Sequence, residues 1–97
     1  MRLVLDPAAF AELREAARFY EESRKGLGRD FLDNVEAAFA SIMRHPTLWR
    51  RLKGRFRRCL VHRFPYGIIY AVERDTIYVA DVMHLRREPG YWERRED

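Results

Sequence analysis

The sequence predicts an α+β fold: an N-terminal strand, an antiparallel helical hairpin, then a three-stranded antiparallel meander, all in one small sheet covered by the hairpin. Three observations carry this expectation. Apolar side chains recur at helical spacing in the first half of the chain and change to strand alternation near Arg55. A short Gly-Leu-Gly connection divides the helical half in two. Pro46 and Pro65 stand where a regular segment has to stop.

Each element has its own reason. "RLVL" before Asp6 is apolar and short, as an N-terminal strand would be. Asp6-Pro7 supplies an N-cap oxygen and a residue preset for the first helical position. Phe10, Leu13, Ala17 and Tyr20 form an apolar stripe, while Glu12, Arg14, Glu15, Arg18 and Glu22 fill the other face. The helix should stop near Lys25, with Gly26 in the left-handed conformation after it. The connection is short, so the second helix folds back, burying Phe31, Val35, Ala38, Phe39 and Ile42 and ending before Pro46. "RFRRCLVHRF" alternates basic and apolar side chains, as a half-buried strand does. "YGIIYAV" is apolar on both faces and reads as a central strand. "ERDT" is a tight connection, and "IYVADVMH" is the last strand.

A chain of 97 residues is expected to form a single domain, residues 1–97, and 47% apolar content is enough for a packed core. No stretch approaches the roughly 20 apolar residues of a membrane span, and the N-terminus lacks the apolar run of a signal peptide. The one cysteine, Cys59, reads as a buried thiol in a reducing, cytoplasmic setting. No metal-ligand or cofactor motif stands out, so neither is expected. Charge is unevenly spread. Residues 37–72 hold eight basic side chains and no acidic one, against a net −2 on each side. A block that basic points to an anionic target.

"ARFYEESRKGLGRDFLDNVEAAFASIMRHP" and "RRCLVHRFPYGIIYAVERDTIYVADVMHLRREPGYW" resemble, in this order, the helical hairpin and the meander with basic tail of the RelE/ParE superfamily. These are toxins of bacterial type II toxin–antitoxin, or plasmid-stabilisation, modules. The resemblance is closer to the ParE-like branch. It implies a growth-arresting toxin held inactive by a cognate antitoxin in a hetero-oligomeric complex. RelE-like members cut messenger RNA on the ribosome; ParE-like members inhibit DNA gyrase.

Metal-free RNA cleavage needs a base, cations on the phosphate and an acid. Against the nuclease pattern the candidate catalytic residues are His84, Arg58, Arg63 and Tyr91, and the set is incomplete. The strand position that faces the same way as Arg58 is Leu60, the expected strand arginine is Gly67 in "YGIIY", and the position after His84 is Leu85. Histidine as a residue type can give or take a proton near neutrality. At a strand end it can equally well serve by bonding backbone.

Gripping asks less than cutting. Arginine, tyrosine and tryptophan dominate protein hot spots, and arginine makes forked contacts to carboxylate or phosphate. Candidate target-binding residues are therefore Arg57, Arg58, Arg63, His84, Arg86, Arg87, Tyr91 and Trp92. Three readings remain open at this stage: a gyrase inhibitor, a ribosome-dependent endonuclease, and a member that binds antitoxin without harming the cell.

Overall fold

The computed structural model describes residues 1–86. Seven elements follow one another: β1 (Arg2–Leu5), α1 (Pro7–Ser23), α2 (Leu27–Arg44), β2 (Arg51–Lys53), β3 (Phe56–Leu60), β4 (Tyr66–Glu73) and β5 (Thr76–His84). The strands make one sheet in the order β1-β5-β4-β3-β2. β1 runs parallel to β5, and the other neighbours are antiparallel. Both helices lie on one face. Phe31, Val35 and Ile42 from α2 meet Cys59, Ile68, Tyr70, Ile77, Val79 and Val82 from the sheet.

The start of α1 is built as its sequence implies. Asp6 accepts the Ala8 N–H at 2.8 Å, and Pro7 takes the first helical position. The other carboxylate oxygen of Asp6 accepts the Tyr78 hydroxyl at 2.6 Å, tying the end of β1 to β5. The buried stripe of α1 differs from the expected one. It runs through Ala9 and Ala16, with Leu13, Ala17 and Tyr20 packed at its side, and Phe10 is 51% exposed. Small residues lie under the helix because it sits close to the sheet, and the larger Phe10 is left outside.

The helical turn also falls earlier than expected. α1 ends at Ser23, and Gly26, at φ 88°, serves α2 as its N-cap. A glycine has no side chain to cap with, and Glu21 of α1 supplies the missing acceptor. Its carboxylate takes the N–H groups of Gly26 (3.0 and 3.1 Å) and Gly28 (3.1 Å). Gly28 is buried against α1, where a Cβ would stand 2.6 Å from the Ala17 carbonyl oxygen. Only glycine lets the helices approach this closely.

Two strand details were not legible. β2 has three residues, all exposed, so it carries no alternation to read. β3 ends at Leu60 because Arg63 takes a positive φ of 72° in the turn before Pro65. Tyr70, fully buried on central β4, donates its hydroxyl to the Pro46 carbonyl at 2.8 Å and so holds the loop after α2.

Gly28→Ala is expected to destabilise the fold by about 1 to 3 kcal/mol through overpacking, and Glu21→Ala by about 1 kcal/mol through the lost cap. Thermal or urea unfolding reads both, and an unchanged midpoint for Gly28→Ala would show that the helices do not need this approach. Alkaline pH gives a second measurement. Burial pushes the Tyr70 hydroxyl up from 10.0 to about 12, with Arg57 lowering it and Cys59 raising it, and burial pushes the Cys59 thiol from 9.0 to about 11. Both groups hold their protons more tightly folded than unfolded, so their contribution is complete below pH 9 and is lost as pH rises through about 11 and then about 12. The urea midpoint of the wild type should fall across this window, and that of Cys59→Ala/Tyr70→Phe should fall less.

Candidate functional site

Strand alternation sorts the basic residues of β3 onto different faces. Arg57 shares the helix-covered face with Cys59, while Phe56, Arg58 and Leu60 point to the far face. The Arg57 guanidinium donates to the carbonyls of Trp49 (2.7 Å) and Thr47 (3.3 Å), fixing the loop that leads into β2. Arg58 is exposed and lies over β4. A Cβ at Gly67 would meet its Cδ at 3.0 Å and its Cγ at 3.1 Å, and the Leu85 Cδ2 at 3.3 Å. The glycine that stands where an arginine was sought thus makes room for the stem of Arg58. A second, smaller cluster of buried side chains, Phe56, Ile69, Ala71, Ala80 and Met83, sits on this far face, as does the fully buried Asp81.

His84 lies on the other side. Ile69 pairs with Asp81 and Tyr70 with Val79, so Ala80 is an extra residue in β5. This bulge shifts the alternation, and Val82 and His84 face the helices. The His84 ring meets the Tyr66 ring edge-on at 5.3 Å, and its Nδ1 accepts the Arg86 N–H at 3.1 Å, leaving Nε2 for other work. With Glu12, Glu15, Ala16, Phe19, Tyr20, Tyr66 and Val82 it lines a cleft of about 300 Å³. Burial raises the Tyr20 hydroxyl above its ordinary 10.0.

Arg58 and His84 are therefore not brought together. Arg63 is exposed in the turn between β3 and β4, its guanidinium 5.9 Å from the Phe64 ring centroid. Arg86 is exposed just after β5. Arg87, Tyr91 and Trp92 lie outside the described residues.

One feature escaped the sequence reading. Glu12 was placed on the solvent face, yet its carboxylate accepts the Val82 N–H at 3.2 Å. β1 is four residues long and reaches only Val79 of nine-residue β5, so the uncovered N–H of Val82 needs an acceptor from α1. The mismatch in strand length was the available signal. A groove of about 330 Å³ lies at the β1 edge, where Leu5, Phe10, Leu13, Leu32, Val35 and Phe39 form an apolar floor flanked by Arg29, Asp33 and Glu36. Among the described residues no group of three or more His, Cys, Asp or Glu side chains could hold a metal ion, and no helix is long and apolar enough to cross a membrane.

The arrangement of strands and helices has a counterpart among solved structures. A chain from "Chromosomal ParDE TA system from P. aeruginosa" superposes with a TM-score of 0.76, over 87% of this chain and 95% of that one. Identity is 12%, so this likeness concerns the fold alone. No curated protein sequence matches the chain. The family model described as "ParE toxin of type II toxin-antitoxin system, parDE" matches residues 3–89, from β1 to beyond the end of β5. With that match over nearly its whole length, on the fold just described, the chain belongs to the ParE toxin family of type II toxin–antitoxin systems.

Proposed function

We propose that this toxin acts in the cytoplasm by inhibiting DNA gyrase, without cutting RNA, and that a cognate antitoxin neutralises it. The observation that carries the reading is the separation of Arg58 and His84 by the thickness of the sheet. RNA cleavage needs acid, base and phosphate cations within hydrogen-bond reach of one phosphate. Here the positions beside Arg58 are Leu60, Gly67 and Leu85, none of which can neutralise developing charge. Inhibiting gyrase by holding its DNA complex needs no such set. It needs a rigid, basic and aromatic surface, which suits a sheet edged by arginines.

The groove at the β1 edge supports the antitoxin part. An amphipathic helix laid there would cover Phe10, and β1, an edge strand among the described residues, offers backbone groups to an added strand. Antitoxin and gyrase would then meet the toxin on different surfaces, or compete through bulk.

Purified toxin titrated into gyrase, ATP and relaxed plasmid should abolish supercoiling and accumulate linear DNA. Full supercoiling at a large excess of folded toxin would overturn the reading, and cleavage of ribosome-bound messenger would replace it with the nuclease. His84→Ala should retain inhibition within about twofold, the size of an ordinary surface change. Phe10→Asp should weaken antitoxin binding about tenfold or more, as loss of an aromatic anchor does, with the melting temperature little changed. Undiminished antitoxin affinity would move that interface away from the β1 edge.

A further inference from the structure

At the opposite edge of the sheet from β1, the loop before β2, β2 itself and β3 enclose a groove of about 270 Å³ lined by Trp49, Arg50, Arg51, Leu52, Arg58 and Leu60. Its floor is apolar and its rim carries three guanidinium groups. Other cations nearby are engaged: Arg55 pairs with Glu73 at 2.6 Å, and Arg57 is held by the Trp49 and Thr47 carbonyls. Arg50, Arg51 and Arg58 are exposed, and among the described residues none of them makes an ion pair or a side-chain hydrogen bond. Three like charges around one groove repel each other, and a bound anion relieves that repulsion.

The groove is held in shape without a ligand. Arg57 fixes the Trp49 carbonyl from below, Tyr70 holds Pro46 at the start of the loop, and Gly67 gives the Arg58 stem a bed on β4. Forked guanidinium groups match phosphate oxygens, and an apolar floor suits the carbon face of a deoxyribose. We propose that this corner binds the phosphate backbone of duplex DNA, so that the toxin grips the DNA of the gyrase complex directly as well as the enzyme. The proposal deepens the gyrase reading and rests on it only for where the DNA is met.

The test is fluorescence anisotropy of a short labelled duplex with purified toxin, with no gyrase present, from about 50 to about 200 mM salt. Wild-type affinity should fall steeply with salt. Arg50→Gln/Arg51→Gln/Arg58→Gln should weaken binding at least about tenfold and flatten the logarithmic salt slope by about 2 to 3, one ion release per lost phosphate contact. The control removes the same charge from α1 and the turn after it, as Arg18→Gln/Arg24→Gln/Lys25→Gln, and should cost much less. Melting curves verify that both variants fold. Equal losses in the two variants, or no duplex binding at low salt, would overturn the proposal. So would displacement of the duplex by polyglutamate at lower charge-equivalent concentration, which would make the groove a site for an acidic protein. Duplex binding through these arginines with gyrase untouched would support the groove and retire the gyrase reading. Gyrase inhibition at unchanged potency by the arginine variant would do the reverse.

Discussion

The close approach of the two helices at Gly28 is the constraint on which the remaining architecture depends. With no Cβ there, α2 can lie against the Ala17 carbonyl, and the Glu21 carboxylate closes the turn by taking the first N–H groups of α2. The hairpin is then narrow enough for both helices to cover one face of a small sheet. Ala9 and Ala16 let α1 sit low, and Tyr20 and Phe31 join Phe64 and Tyr66 in an aromatic cluster with ring centroids 4.9 to 6.2 Å apart. Such a cluster contributes more than its buried area alone. A wider hairpin would separate these rings and open the core.

Covering one face gives the molecule two distinct sides, and that asymmetry bears on function. On the helix-covered side, polar residues are taken into structural work: Arg57 holds a loop, Glu12 satisfies the uncovered edge of β5, and Tyr70 secures Pro46. Toward the far side and the β2 edge, Arg50, Arg51 and Arg58 make no ion pair or side-chain hydrogen bond among the described residues. The two sheet edges differ in the same way. The β1 edge borders an apolar groove and the β2 edge a basic one, so a partner helix and a polyanion each find a suitable surface on one small domain. One fold can thus serve different targets through what is placed on its surfaces.

Much of the fold was readable because it rests on local chemistry. Asp6-Pro7, the apolar stripe of α2, the stop before Pro46 and the two-sided apolar β4 each follow from a few neighbouring residues. The misreadings have physical causes as well. The stripe of α1 is offset from the expected one, since Phe10 fits the periodicity as well as Ala9 does, and only the depth at which the helix sits separates them. Gly26 has the expected left-handed backbone, yet it starts α2 instead of ending α1, because Glu21, five residues earlier, supplies the cap.

By itself the sequence determined the family and the order of every element but β2, since hydrophobic period, caps and prolines act over short spans. It also determined that a strongly basic segment would enter the sheet. Only the tertiary structure decided which basic residues share a surface. A single extra residue, Ala80, reverses the alternation of β5 and carries His84 to the helix side, away from Arg58. A bulge leaves no mark in an apolar run, because Val79, Ala80 and Val82 suit either face. The gathering of Arg50, Arg51 and Arg58 around Trp49 depends likewise on a three-residue strand, which acquires its place only by pairing with β3.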